Sequence, residues 1–263
     1  MATGHRSTMS QLRKYSVFSP PHLLTEALKK LMKSELGHDF ARLSGLFPHN
    51  WRAYVMGGVI RNSMLEQMRG IKLVPADADL VVDGASSIEA LRARLGPFYL
   101  SANEFGGAKC RVRPRGAVFD VWRIEDHTNM AAAARPHTIE QLVRHNLLDI
   151  DAIVWDPRTD CLHDCGCQAA IEAGCIDLMG QEGISPNFLV AHAAHVIVVA
   201  YKTGLPISDR ALDLVKSVCD AGERPNVLRS SERKLPEAAN AIDAFLDELL
   251  KGAVRLWPSR TNR

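Results

Sequence analysis

The spacing of apolar residues along the chain predicts helices that alternate with short strands. Between residues 22 and 32, leucines and alanines recur at the three- and four-residue intervals of an amphipathic helix. Short apolar runs predict strands at residues 54–56 and 79–82. Further helices are predicted over residues 40–46, 60–68, 87–95, 186–201, 209–219 and 236–250. This alternation predicts an α/β fold.

Two more strands are predicted on either side of a turn at residues 114–116. Apolar and polar residues alternate over 109–113 and again over 118–123, and the sequence Pro-Arg-Gly separates the two runs. Alternating runs that flank such a turn are typical of an antiparallel hairpin. We therefore expect these two segments to pair with each other.

The stretch from residue 54 to residue 84 carries the candidate chemistry. Gly57 and Gly58 lie between a predicted strand and a predicted helix, so their backbone N–H groups can face a phosphate. Asp77 and Asp79 stand two residues apart where the next strand begins, which puts both carboxylates on one face. Two like charges this close need a cation, and carboxylate oxygens suit Mg2+. This combination indicates phosphoryl or nucleotidyl transfer.

Either half of this pattern alone is common, because Gly-Gly is usually a turn and Asp-x-Asp is usually a solvated strand edge. Together, the two halves resemble the nucleotidyltransferase head of class II tRNA CCA-adding enzymes and bacterial poly(A) polymerases, in the DNA polymerase β superfamily. Gly57, Gly58 and Arg61 match the family's Gly-Gly-x-Val-Arg-Asp turn, and Asp77 and Asp79 match its Asp-x-Asp strand. The resemblance implies a polymerase β-type head with a small mixed or antiparallel sheet.

The resemblance also implies roles for residues farther along the chain. Asp120 falls where polymerase β-type sites take a third metal-binding carboxylate, and Arg123 follows it as a candidate triphosphate contact. Arg144 and Asn146 lie near the place of the family's Arg-Arg-Asp motif, which contacts the nucleotide. Asn62 stands where the family's turn has Asp. The expected site thus combines Mg2+ at Asp77, Asp79 and Asp120 with a nucleotide held by the glycines, arginines and Asn146.

One departure from the family concerns base selection. Family members carry Glu-Asp-x-x-Arg on a helix, and the corresponding positions here are Phe188, Leu189 and His192. Apolar side chains cannot read the hydrogen-bonding edge of a base. We therefore expect a metal-dependent nucleotidyltransferase that uses an NTP and an RNA or protein acceptor, but does not add CCA. The alternative is a catalytically silent descendant that binds nucleotide or RNA.

The resemblance divides the chain into three regions. A partly helical extension is predicted over residues 1–50, the nucleotidyltransferase head over 51–160, and a short strand with a helical region over 161–263. Five possible zinc ligands cluster between residues 161 and 175. Their Cys-x-Cys spacing is unusual for zinc, and the family has no metal here, so we expect thiols without metal.

Composition and charge indicate the class of protein and its expected location. Of 263 residues, 46% are hydrophobic and 24% are charged, as is ordinary for a globular protein. The net charge of +2 is too small to indicate nucleic-acid binding by itself. Neither a membrane span nor a signal peptide is apparent, and the six cysteines suit a reducing compartment. A cytoplasmic location without membrane contact is expected.

Overall fold

The computed structural model describes residues 14–73, 75, 77–103, 106–126, 137–180 and 188–252. Its strands are β1 (Ser16–Phe18), β2 (Arg52–Met56), β3 (Asp77–Asp83), β4 (Tyr99–Ala102), β5 (Ala108–Cys110), β6 (Val118–Arg123), β7 (Ile153–Asp156) and β8 (Cys161–Asp164). Its helices are α1 (His22–Met32), α2 (Glu35–Ser44), α3 (Gly58–Arg69), α4 (Ile88–Leu95), α5 (Ile139–Arg144), α6 (Cys167–Ala173), α7 (Leu189–Thr203), α8 (Asp209–Val218), α9 (Arg224–Lys234) and α10 (Ala239–Leu250).

These strands form one eight-stranded sheet in the order β1-β8-β7-β2-β3-β6-β5-β4. β3 and β6 run parallel, whereas the other neighbouring pairs run antiparallel. The predicted hairpin is confirmed, because β5 pairs antiparallel with β6 and places Lys109 opposite Asp120. β1 and β8 continue the sheet outside residues 51–160, and the predicted division of the chain into three regions stays a prediction.

Successive side chains of each strand point to opposite faces of the sheet, and each face has its own hydrophobic core. Val55, Leu80 and Phe119 point into the larger core, which also contains the apolar sides of α1, α3 and α4. The smaller core on the other face contains Tyr54 and Val81, and α5 covers it. Because Asp79 is one residue away from Leu80 and two away from Val81, it belongs to the face with the smaller core.

The helices after the sheet pack onto one another and join the larger core. α7 is apolar over most of its length and lies against α8, α9 and α10. A short π-helical segment at Cys219–Glu223, with Gly222 at φ +86°, connects α8 to α9. Among the helices of the described residues, none combines the length and apolarity needed to cross a membrane.

Candidate nucleotide and metal site

The turn between β2 and α3 lies directly beside one of the two predicted metal carboxylates. Gly57 has φ +59°, a conformation that side chains other than that of glycine rarely adopt. A Cβ atom at Gly57 would lie 3.9 Å from Oδ2 of Asp79. α3 begins at Gly58, so the unpaired N–H groups of its first turn lie near this carboxylate. This turn and Asp79 therefore share one site.

Asp77 and Asp79 begin β3 and lie on the same side of the strand. Asp77 is exposed, Ala78 between them is buried, and Asp79 is half-buried. Burial, and then the negative charges of Asp77, Asp120 and Asp151, raise the pKa of Asp79 well above its ordinary value, and Arg61 offsets this in part. The site thus holds more negative charge than its own cations neutralise, which favours an added cation.

Both carboxylates line a cleft of about 200 Å3 between the sheet and the C-terminal helices. Gly58 and Arg61 line the same cleft on the α3 side. The opposite side comes from the helical region, through Lys202, Leu235 and Glu237, none of which the sequence assigned to the site. The full lining is Gly58, Arg61, Asn62, Leu73, Pro75, Asp77, Asp79, Lys202, Leu235 and Glu237.

Arg61 lines the cleft, but its charge is already paired. It is 7% exposed, and its Nη1 group donates a short hydrogen bond to Asp151. The Nε group donates to Oδ1 of Asn62 at 3.1 Å, so the family's Asp is replaced by a neutral acceptor. A Cβ atom at Gly58 would lie 3.4 Å from Nη2 of Arg61, which places the guanidinium beside the first turn of α3.

Asp151 is the centre of a buried network that sequence reasoning missed. Besides Arg61, it accepts a 2.8 Å hydrogen bond from Nε2 of His195 on α7. Burial alone would raise the pKa of Asp151, but Arg61 and His195 more than offset this and hold it at about 2. Burial lowers the pKa of His195, so the imidazole is neutral and donates to an ionised carboxylate. The network connects α3 to α7.

Asp120 lies next to Asp79, but its carboxylate is engaged. The register of β3 and β6 puts the two residues opposite each other. Nδ2 of Asn103 donates to Oδ1 of Asp120 at 3.2 Å, and Nζ of Lys109 donates to Oδ2 at 3.0 Å. A metal ion could therefore bind Asp120 only in competition with Lys109. The predicted hairpin carried no register, so the position of Lys109 opposite Asp120 comes from the structure.

The other three predicted nucleotide contacts lie outside this cleft. Arg123 points to the sheet face opposite Asp120 and pairs with Glu125 and Asp126, in the turn after β6. Arg144 pairs with a glutamate one turn earlier on α5. Asn146 is buried and donates to a backbone carbonyl of α5 at 3.4 Å. Their contact with a nucleotide stays a prediction, and these positions do not support it.

Comparison with solved structures decides the fold. A CCA-adding enzyme in complex with CTP matches with a TM-score of 0.56 and 19% identity, over 92% of this chain and 58% of that chain. The Thermotoga maritima CCA-adding enzyme in complex with tRNA matches with a TM-score of 0.55 and 19% identity, over 92% of this chain and 58% of that one. The chain has the fold of the CCA-adding enzymes. The predicted fold class and the predicted resemblance are confirmed.

The chain is a divergent example of this fold. An apo tRNA-processing enzyme also matches, with a TM-score of 0.52 and 16% identity, over 89% of this chain and 58% of that chain. The chain thus spans about 58% of the length of these enzymes. No family model matches the chain, and no curated protein does either.

The donor groups of the cleft fit a magnesium ion that is shared with a substrate. In proteins, Mg2+ is usually bound by one or two carboxylates together with phosphate groups of the substrate. In this CCA-adding-enzyme fold, Asp77 and Asp79 provide two carboxylates in the same cleft as Gly58, at the start of α3. Among the described residues, no three histidine, cysteine or acidic side chains gather as a complete metal site. Mg2+ held by Asp77 and Asp79 would leave coordination positions for phosphate oxygens.

The cysteines between 161 and 175 are spread over different surroundings. Cys167 is buried, and its Sγ atom lies 3.9 Å from Sδ of Met64. Cys165 is also buried and lies 3.8 Å from Nη1 of Arg144. Cys161 is partly exposed on β8. Whether this segment binds zinc is not tested by these contacts, and the expected absence of metal stays a prediction.

The engagement of Asp120 by Lys109 leads to a prediction about metal affinity. Lys109→Met should tighten the binding of Mn2+ without nucleotide by about two- to fivefold, because a half-exposed competing cation is removed. Titration followed by electron paramagnetic resonance of Mn2+ measures this directly. Lys109→Arg keeps the charge and serves as the control. Equal affinity in Lys109→Met and wild type would show that Asp120 takes no part in metal binding.

Proposed function

We propose that the protein transfers a nucleoside monophosphate from an NTP to an acceptor hydroxyl and releases pyrophosphate. The observation that carries this proposal is the cleft that Asp77 and Asp79 line together with Gly58, with Asp79 also beside the turn at Gly57. Uncompensated carboxylates beside open backbone N–H groups suit a metal–triphosphate complex better than an uncharged ligand. The fold shared with CCA-adding enzymes supports the same reaction class.

The charged groups at and beside the cleft have separate roles in this proposal. Asp77 and Asp79 would hold Mg2+, which supplies charge neutralisation at the triphosphate and at the attacking hydroxyl. The N–H groups at the start of α3 would bind phosphate oxygens. Arg61 would border the triphosphate in an orientation that Asp151 maintains. Asp120 remains the proposed third carboxylate, available when Lys109 releases it.

An RNA or protein hydroxyl is the proposed acceptor. The similar CCA-adding enzymes were solved in complex with CTP, with ATP and with tRNA. Here the positions that select the base are Phe188, Leu189 and His192. Burial and then the neighbouring His195 lower the pKa of His192 to about 4, so its ring is neutral at pH 7. A neutral ring and two apolar side chains select bases weakly.

We therefore expect that the protein does not build CCA on tRNA. Wrong bases should lose only about 1–2 kcal/mol at a pocket that cannot pair with their edges. The measurement is incubation with CTP and ATP of a tRNA that lacks its terminal CCA, followed by sizing of the product at single-nucleotide resolution. Ordered addition of C, C and A would contradict this expectation.

The reaction class itself is tested with radiolabelled nucleotides. Purified protein is incubated with Mg2+, each α-labelled NTP in turn, and bulk RNA, and label is followed in RNA and in the protein itself. The proposal predicts covalent label and an equal amount of pyrophosphate, both lost when Mg2+ is chelated. Binding of NTP with no covalent label on any acceptor would favour the catalytically silent alternative.

A further inference from the structure

The cationic side chains near the cleft differ in how far they are already neutralised. Arg61 is tied to Asp151, and Lys109 is tied to Asp120. Arg123 and Arg144, the other two predicted nucleotide contacts with positive charge, pair with acidic neighbours outside the cleft. A triphosphate carries several negative charges, which these engaged groups would neutralise only in part. Another cation is therefore needed in the cleft.

Lys202 is placed to supply that charge. It lies in the last turn of α7, is half-buried and lines the cleft that contains Asp77 and Asp79. Its side chain makes neither an ion pair nor a hydrogen bond with the described residues. Glu237 lines the same cleft but does not pair with it. A lysine in the last turn of a helix is stabilised by the negative end of the helix dipole. That interaction would not require the lysine to line the cleft.

We infer that Lys202 binds the phosphate groups of the nucleotide. An ammonium group on a flexible stem suits phosphate oxygens as a point charge. This inference rests on the proposed function and adds a residue that the sequence comparison with the family did not indicate. It also gives the helical region a part in substrate binding, because α7 brings both Lys202 and His195 to the site.

The test measures how affinity depends on the number of phosphates. Wild type, Lys202→Met and Lys202→Arg are titrated calorimetrically in Mg2+ with ATP, ADP, AMP, adenosine and inorganic pyrophosphate. Lys202→Met should bind ATP about 10- to 100-fold more weakly, because one charge-assisted contact to phosphate is lost. Adenosine should bind both proteins equally. Lys202→Arg should recover most of the affinity for ATP.

A lysine on the neighbouring helix provides the matched control. Lys216 on α8 is also half-buried but does not line the cleft, so Lys216→Met should bind ATP like wild type. Equal affinity for ATP in Lys202→Met and wild type would overturn the role of Lys202 alone. An equal loss for adenosine and ATP would also overturn it, because the substitution would then act on the fold. A wild type that binds none of the phosphorylated probes would overturn the proposed function as well.

Discussion

Replacing Asp77 and Asp79 together by asparagine is expected to reduce nucleotidyl transfer by about a thousandfold or more. The substitution removes both carboxylates that would hold the metal, while the amide side chains keep their size. The midpoint of thermal unfolding should stay unchanged or rise, because like-charge repulsion in the folded state disappears. Loss of activity with intact stability separates a role in chemistry from a role in folding.

The gain in thermal stability of the double variant over wild type should depend on pH. The pKa of Asp79 is raised above its ordinary value of 3.8, so folding disfavours the ionised form. The stability of wild type therefore falls as pH rises above 3.8 and through the raised pKa. The gain in the double variant should be present at pH 7 and should vanish at or below the ordinary pKa. Calorimetric unfolding across this range measures it.

Magnesium gives the same experiment a second readout. Mg2+ with ATP should raise the unfolding midpoint of wild type more than that of the double variant, because ligands that bind only the folded state stabilise it. Asp83→Asn is a matched control, since Asp83 ends the same strand and does not line the cleft. Full activity of the double variant, or equal stabilisation of both proteins, would contradict the assignment of the metal site.

The regular elements of the fold were predictable where the apolar pattern was strong. The amphipathic helix over residues 22–32 and the helix predicted over 87–95 are confirmed, and in the structure Ser87 caps the second by accepting from the N–H of Ala90 at 3.1 Å. α9 was missed because it contains few apolar residues and is held mainly by packing against α7 and α10. β1 and β4 were missed because each is a short strand at an edge of the sheet. Their structure depends on a neighbour that local sequence cannot show.

Gly107, just before β5, has no room for a side chain. A Cβ atom at Gly107 would lie 2.3 Å from Cδ1 of Trp122 and 2.8 Å from Nδ2 of Asn103. The N–H of Gly107 also donates to Oδ1 of Asn103 at 2.7 Å, and this asparagine bonds Asp120. A side chain at position 107 would therefore disturb Asn103 and the hydrogen bond that it donates to Asp120.

The residues at the centre of the candidate site were predictable because they lie in one contiguous motif. Gly57, Gly58 and the two aspartates on β3 are separated by a single helix and loop. By contrast, Asp151, His195 and Lys202 reach the site from distant parts of the chain. A polar residue in the apolar sequence of α7 was the available signal. The pattern alone could not distinguish a half-buried histidine that bonds a carboxylate, as His195 does, from one that only packs.

Asp151→Ala is expected to lower the free energy of unfolding by about 3–5 kcal/mol. Arg61 is 7% exposed, so the variant would leave a buried guanidinium without its carboxylate partner. His195 would lose its 2.8 Å acceptor as well. Urea unfolding of the variant and of wild type at pH 7 measures the difference. Binding of ATP should weaken too, because Arg61 would lose the contact that orients it beside the cleft.

The control for this prediction removes both charges. Arg61→Met combined with Asp151→Leu should be clearly more stable than Asp151→Ala, because a buried pair replaced by apolar side chains often costs little. The loss of stability in Asp151→Ala should also depend on pH. The pKa of Asp151 is lowered from 3.8 to about 2, so its contribution to stability is complete above 3.8 and is lost as pH falls towards 2. A stability difference that stays constant across this range would contradict the role of Asp151 as the ionised partner of Arg61.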